Sequence, residues 1–262
     1  MPKSRRRVVC LSDLHVGSRW GLWPADFETA DGHPIPPSPE QRMLLNFWED
    51  FELFAKGADT VILAGDICQG NNRKAWGQGT VTPDLEEQVQ AAVALLEPLC
   101  RGRKVFGVLA TQYHDSLDTS LDHAVIRALG GKFLRATGDI LLEGPDKVVR
   151  VFHGGASPWM YRGGYLDKQS QLLDAAIGRG DIPHKIDAVV SGHWHAFDCL
   201  VKPHRTLMKL PGWQYKLEWR KITDFPYVRH IGGVIFDVAA EGIVVTPRLY
   251  AEIRETVRLE RG

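Results

Sequence analysis

Short apolar segments that end in glycine, aspartate or histidine recur along this chain. Segments of this kind, bounded by Gly, Asp or Pro, are typical of buried β-strands. The sequence predicts eight of them, at residues 7–11, 60–63, 104–109, 148–152, 187–190, 206–210, 230–237 and 242–249. Segments with helical periodicity lie between them, at residues 39–55, 84–99, 117–129 and 166–177. This alternation predicts an α/β fold.

The last third of the chain is rich in predicted strands. We therefore expect a sheet built from the β-α units of the first half to pack against a second sheet built from the C-terminal hairpins. No repeat or flexible linker divides the chain, which predicts a single domain over residues 1–262. The irregular stretches 20–39 and 70–83 are candidate walls of a cleft, because loops of this length in compact domains are often functional.

Composition narrows the class of protein. The 262 residues are 44% hydrophobic, and 32 basic residues balance 32 acidic ones, so a general nucleic-acid-binding surface is not indicated. The four cysteines form no Cys-x-x-Cys pair, which argues against a disulfide framework or a thiolate zinc site. The apolar run before Asp13 is too short for a signal peptide, and no segment approaches the roughly 18 apolar residues of a membrane span. We expect a cytoplasmic protein with no membrane partner.

Two pairs of possible metal ligands follow predicted strands. Asp13 and His15 follow the first strand, and His193 and His195 follow the strand at 187–190. Side chains in an extended segment repeat every two residues, so the members of each pair point the same way. Asp31 and His33 have the same spacing in a proline-rich stretch with no strand before it, and we assign them no role.

Three further strand ends carry similar residues, namely Asp66 after Gly65, His114 with Asp115, and His153. Imidazole with carboxylate suits zinc, iron or manganese better than calcium. Without His114 and Asp115 these are six ligands, which is more than one catalytic zinc uses. The sequence therefore predicts a centre for two divalent metal ions, with manganese favoured and iron, zinc, nickel and magnesium as alternatives.

The order of these motifs resembles the calcineurin-like metallophosphoesterase superfamily. The long loops and the degenerate histidine motif resemble its phage and prophage type. The matching segments are Asp13-Leu14-His15, Gly65-Asp66, Gln112-Tyr113-His114-Asp115, His153 and Gly192-His193-Trp194-His195. The resemblance implies a four-layer αββα sandwich of two mixed sheets. It also implies that Asp66 bridges two metals, that Asp13, His15 and His195 hold the first, and that His153 and His193 hold the second.

One position departs from the family pattern. The family's asparagine, a ligand of the second metal, is replaced by Thr111 or Tyr113, depending on the alignment. Gln112, Thr111, His114 or a water molecule are the alternatives for the vacant position. The resemblance implies that His114 donates a proton to the leaving alkoxide or neutralises the phosphate, with Asp115 fixing its tautomer. We favour an inert loop thiol for Cys68 over a contact with the metals.

These features predict a metal-dependent phosphoric ester hydrolase. A phosphodiesterase acting on a nucleotide or nucleic-acid type of substrate is the first hypothesis. A phosphomonoesterase acting on a nucleotide, sugar or protein is the second, and a non-catalytic metal-binding module is the third. Aromatic residues expected beside the metals are candidates for stacking on bases. They are Trp20, Trp23, Trp159, Tyr161, Trp213, Tyr215 and Trp219, with Arg19, Arg162 and Lys202 as candidate phosphate contacts.

Overall fold

A computed structural model describes residues 4–71, 77–111, 114, 120–154, 164–215 and 229–250. This part of the chain forms eleven strands and four helices. In chain order they are β1 (Arg5–Leu11), α1 (Pro39–Phe54), β2 (Thr60–Leu63), α2 (Leu85–Cys100), β3 (Lys104–Gly107), α3 (Leu121–Ala128), β4 (Lys132–Phe133), β5 (Thr137–Leu142), β6 (Lys147–His153), α4 (Gly164–Gly178), β7 (Ala188–Gly192), β8 (Asp198–Lys202), β9 (Arg205–Lys209), β10 (Ile231–Ala239) and β11 (Gly242–Tyr250).

The strands form two mixed sheets. The first has the order β11-β10-β1-β2-β3-β4. Strands β1 to β4 are parallel to one another, β10 is antiparallel to β1, and β11 is antiparallel to β10. The second has the order β5-β6-β7-β9-β8, with β6, β7 and β9 parallel at its centre. Because these strands run parallel, the loops that follow β1, β2 and β3 leave the same edge of the first sheet, and those after β6 and β7 leave one edge of the second.

Alternation along the strands builds four layers. On β1, Val8 and Cys10 belong to the cluster between the two sheets, whereas Val9 and Leu11 pack with α1, α2 and α3 on the other face. Helix α4 covers the outer face of the second sheet through a third cluster that includes Leu166. Helices, sheet, sheet and helix therefore follow one another, which confirms the predicted αββα sandwich.

Side-chain caps set where the first three helices begin. Ser38 and Gln41 form a reciprocal capping box at the start of α1. Asp84 and Ser120 accept hydrogen bonds from backbone amides in the first turns of α2 and α3. The start of α3 at Leu121 corrects the predicted start at 117; residues 117–119 lie outside the described chain.

The predicted composition of the second sheet is wrong. The C-terminal hairpin of β10 and β11 belongs to the first sheet, where β10 pairs with β1 over Arg5 to Cys10. Eight of the nine residues of β10 are buried, so this strand needs neighbours on both edges and a covering layer on both faces. The second sheet is instead completed by β5 and β8, two strands that the sequence did not predict. The short edge strand β4 was also missed. Within the described residues, none of the helices has the length and apolar character needed to cross a bilayer.

Candidate metal centre

The loops after β1 and β2 continue the pairing of these strands beyond the sheet. The Asp13 amide donates to the Gly65 carbonyl at 3.0 Å, and the His15 amide donates to the Asp66 carbonyl at 3.1 Å. On the other side, the Trp213 amide donates to the Asp13 carbonyl at 2.9 Å. Asp13, His15 and Asp66 are thereby attached to the two central strands of the first sheet.

Five candidate ligands have left-handed backbone conformations, which side chains other than glycine rarely adopt. The φ angles are 54° at Asp13, 48° at His15, 51° at Asp66, 91° at His193 and 49° at His195. Elsewhere in the described chain, Arg135 and Asp146 are the non-glycine residues with positive φ. Each left-handed residue of this kind destabilises the folded state by about 1–3 kcal/mol. Such strained residues cluster at functional sites, where the surrounding structure enforces the conformation. The local geometry is therefore built around these five side chains.

Asp13, His15 and His195 form the first group of possible ligands. One ligand atom from each residue lies within 4.8 Å of the others, and all three residues are buried. His195 Nε2 is 3.3 Å from Asp13 Oδ1 and 3.3 Å from His15 Nε2. Two imidazole nitrogens and a carboxylate oxygen thus face one point.

Asp66, His153 and His193 form the second group, within the same distance limit. His153 Nε2 is 3.0 Å from Asp66 Oδ2 and 4.0 Å from Asp13 Oδ1, so the two groups adjoin each other. Gly65 has a φ of 87°, and a Cβ atom there would lie 2.5 Å from His153 Nδ1. Only glycine therefore allows His153 to reach Asp66.

A third group consists of His15, Asp66 and His114. His114 Nε2 lies 4.0 Å from Asp66 Oδ2, and its ring contacts the His15 ring edge-on with centroids 4.6 Å apart. The structure brings together the six predicted ligands and His114, with Asp66 common to two groups. Asp115, predicted as the partner of His114, lies outside the described residues.

Hydrogen bonds to Nδ1 orient three of these imidazoles. The acceptors are the Ala64 carbonyl for His153 at 2.6 Å, Gln69 Oε1 for His15 at 3.0 Å and the Gln69 carbonyl for His114 at 2.8 Å. An acceptor at Nδ1 leaves the Nε2 lone pair free in the neutral ring. In each case Nε2 faces the carboxylates.

Burial and neighbouring charge act in opposite directions on the carboxylates. Burial alone raises the pKa of Asp13, but His195 and His153 outweigh it, so the pKa of Asp13 lies below its usual value. Burial likewise raises the pKa of Asp66, and His153 and His114 bring it well below the usual value. Both carboxylates are therefore ionised in a buried environment, where their charge requires compensation.

The histidines differ in their protonation. Burial, reinforced by His114 and His195, lowers the pKa of His15 well below its usual value, and burial and His153 lower the pKa of His193. Burial also acts to lower the pKa of His153, but Asp66 and Asp13 outweigh it and raise this pKa to about 10. His15 and His193 are thus neutral, as metal ligands must be, whereas His153 carries a proton that a cation has to displace.

The donor set fits divalent cations. Asp13 Oδ1 and His153 Nε2 are buried and, within the described chain, make no hydrogen bond of good geometry. Asp13 Oδ2, in contrast, accepts from the Ser12 hydroxyl at 2.6 Å and the His193 amide at 2.8 Å, which directs Oδ1 toward the histidines. Buried imidazole nitrogens and carboxylate oxygens without a hydrogen-bond partner match manganese, iron and zinc.

Thr111 lies at the end of the segment after β3 and contacts Asp66. Its amide donates to Asp66 Oδ1 at 2.8 Å, and its hydroxyl lies 3.2 Å from the same oxygen. Thr111 therefore orients this carboxylate. The alternatives Gln112 and Tyr113 lie outside the described residues. Cys68 belongs to none of the three ligand groups, and its thiol lies 3.8 Å from the Gln88 carbonyl.

Two of the aromatic residues predicted to stack on bases are buried in the core instead. Trp23 is fully buried and donates from its indole to the Ile35 carbonyl, and Trp213 is fully buried against Trp48 and Phe51. Both belong to the core beneath α1, because the loops that carry them fold back over the first sheet.

Trp20 and Tyr215 are the remaining described aromatics of this set, and both are partly exposed. The Tyr215 amide donates to the Trp20 carbonyl at 2.7 Å, and the ring centroids are 6.4 Å apart. The Arg19 guanidinium lies over the Trp20 ring at 5.7 Å. Lys202 forms an ion pair with Asp167 at 2.6 Å, so the structure does not support its predicted phosphate contact. Trp159, Tyr161, Arg162 and Trp219 lie outside the described residues.

Sequence reasoning missed Gln69, whose side chain and carbonyl contact two histidines. A single glutamine in a polar loop carries no distinguishing signal. Its spacing of three residues after Asp66 becomes informative only when the path of the loop after β2 is known.

Comparison with known proteins gave structural likenesses alone. No protein-family model and no curated protein matches the chain. Among solved structures, an archaeal phosphodiesterase is 12% identical, with a TM-score of 0.48, covering 92% of this chain and 99% of that one. The zinc complex of Vps29 from Entamoeba histolytica is 13% identical, with a TM-score of 0.45 and coverages of 93% and 98%. A predicted phosphoesterase from Streptococcus pneumoniae is 10% identical, with a TM-score of 0.41 and coverages of 93% and 98%. At these values the similarity does not assign a function.

Proposed function

We propose that this protein is a metal-dependent phosphoesterase of the calcineurin-like type. The observation that carries the proposal is the convergence of five strained residues, of which two are buried, ionised carboxylates and three are histidines. Such strain has no structural use in a loop that only connects strands, whereas it is expected where ligands must be held in fixed positions.

The ligand assignment follows from the groups described above. Asp13, His15 and His195 would hold the first cation, and His153 and His193 the second, with Asp66 contributing to both. The first and second groups adjoin through Asp13 Oδ1 and His153 Nε2, 4.0 Å apart, and Asp66 is grouped with His153 and His193 on one side and with His15 and His114 on the other. We favour manganese, with iron, zinc, nickel and magnesium as alternatives.

A bound pair of cations supplies a nucleophile at neutral pH and neutralises the charge that develops on the phosphoryl oxygens. The protein's own groups would do the rest. His114 is 12% exposed, more than His15 at 3% or His153 at 0%, so its side chain is the more accessible of the three to a substrate. With Nδ1 held by the Gln69 carbonyl, a protonated His114 would donate from Nε2 to the leaving alkoxide.

The substrate that the surroundings favour is a nucleotide-type phosphodiester. Trp20 and Tyr215 present partly exposed rings on segments joined to the ligand loops, since the Ser18 amide donates to the His15 carbonyl at 2.9 Å. Aromatic surfaces of this kind stack on bases. Arg19 lies over the Trp20 ring and Arg229 donates to the Tyr215 carbonyl at 3.3 Å, so the basic side chains beside this surface are scattered rather than clustered. Scattered charge suits a singly charged diester better than a dianionic monoester.

A comparison of ester classes tests the function. Protein loaded with manganese should hydrolyse a bis-aryl phosphate faster than the matching aryl monophosphate, and a chelator should abolish both activities. Asp66→Asn should remove activity while Asp31→Asn should not, because Asp31 has the same Asp-x-His spacing in an exposed loop. Faster monoester hydrolysis would favour a phosphomonoesterase. Metal binding without turnover of either ester would favour a non-catalytic module.

A further inference from the structure

Gln69 contacts two histidines of the centre through two different groups. Its side-chain Oε1 lies 3.0 Å from His15 Nδ1, and its backbone carbonyl lies 2.8 Å from His114 Nδ1. The residue is fully buried, so water does not compete for either bond. Gln69 therefore contacts Nδ1 of both the candidate ligand His15 and the candidate proton donor His114.

The backbone of Gln69 is fixed on both sides. Its amide donates to the Val16 carbonyl at 2.8 Å, next to the bridge between Val16 and Cys68. The following residue, Gly70, donates to Gln88 Oε1 at 2.8 Å. A Cβ atom at Gly70 would overlap the His114 carbonyl oxygen, so this loop and the His114 loop are in close contact. Gln69 thus has a defined position relative to both histidines.

The direction of these bonds determines which ring nitrogen is free. A carbonyl oxygen accepts only, so His114 carries its proton on Nδ1. His15 needs an Nε2 lone pair to coordinate a cation, which requires Nδ1–H and an acceptor opposite it, as Oε1 provides. The opposite amide orientation would direct an N–H group at Nδ1 and place the ring proton on Nε2, facing Asp13 and His195.

We propose that Gln69 is a positioning residue that sets the tautomer of His15 through its side chain and that of His114 through its backbone. The proposal rests on the metal centre proposed above. The two roles of Gln69 can be tested separately, because a side-chain substitution removes the bond to His15 and leaves the carbonyl bond to His114 in place. His153 offers an internal comparison, since its Nδ1 bonds the Ala64 carbonyl, which no substitution removes.

Two variants of similar shape test this role in the full-length protein. Gln69→Met removes the acceptor, and Gln69→Glu retains it. Zinc affinity measured by competition with a chromophoric chelator should fall roughly 10- to 100-fold in Gln69→Met, the usual effect of losing a hydrogen bond to a ligand. Gln69→Glu should stay within a few-fold of the wild type. Gln171→Met, an exposed substitution on α4, is the matched control and should have no effect.

A second readout separates positioning from stability. Nitrogen-15 spectra of the imidazoles in the zinc-free protein report which ring nitrogen is protonated. His15 should lose its Nδ1–H form in Gln69→Met and keep it in Gln69→Glu, whereas His153 should be unchanged in both. An unchanged His15 tautomer with unchanged zinc affinity in Gln69→Met would overturn the proposal and leave the metal centre standing. A wild-type protein that binds neither zinc nor manganese would instead overturn the metal centre, and the His15 spectra would still decide the role of Gln69.

Discussion

Metal binding by this protein should release a proton from His153. The carboxylates of Asp66 and Asp13 outweigh burial and raise the pKa of this imidazole to about 10, so the metal-free protein holds the proton at neutral pH. The rise from an ordinary value near 6.5 corresponds to an interaction on the order of a few kcal/mol. A cation that coordinates Nε2 must displace this proton. Affinity therefore rises with pH by up to tenfold per pH unit below about pH 10, and levels off above the pKa of the metal-free form.

Calorimetry in buffers of different ionisation enthalpy measures the protons released. At pH 7.5, saturating the wild-type protein should release about one more proton per chain than saturating His153→Gln. His15 and His193 should contribute none, since burial already lowers the pKa of each. His33→Gln, an exposed site, is the control and should match the wild type. Equal proton release from the wild type and His153→Gln would refute the assignment of His153 as a ligand.

Three further substitutions give separable results. His114→Ala should lower kcat by roughly 10² to 10⁴ fold with the metal content unchanged, and loss of a metal ion in elemental analysis would identify His114 as a ligand instead. Thr111→Val removes the hydroxyl beside Asp66 but keeps the amide bond, so metal affinity should fall by less than about tenfold; a larger loss in a chelator titration would indicate that Thr111 itself coordinates. Trp20→Ala should raise KM for a nucleotide diester and leave KM for a small synthetic diester unchanged, and equal changes in steady-state kinetics would argue against stacking on a base.

The parallel core of the fold was predictable because its strands are short apolar runs with clear boundaries. The prediction for 60–63 matches β2, and that for 7–11 differs from β1 by two residues at the start. Membership of the sheets was not predictable, because the pairing of β10 with β1 joins residues more than 220 positions apart. The edge strand β8 alternates exposed and half-buried residues, so it lacks the apolar run by which the other strands were recognised.

The grouping of the candidate ligands was predictable because each follows a strand end, where parallel strands bring side chains to one edge. The surroundings of the ligands were not. Trp213 follows the last histidine pair in sequence, yet it is buried against Trp48, and its position depends on how the loop packs over α1. The bonds from Gln69 and Thr111 likewise depend on loop paths that no local pattern encodes.

The most direct test of the two-metal centre is anomalous scattering from crystals grown with manganese. Two anomalous peaks should flank Asp66, one in contact with Asp13, His15 and His195 and the other in contact with His153 and His193. A single peak, or peaks that do not contact Asp66, would contradict the two-metal centre.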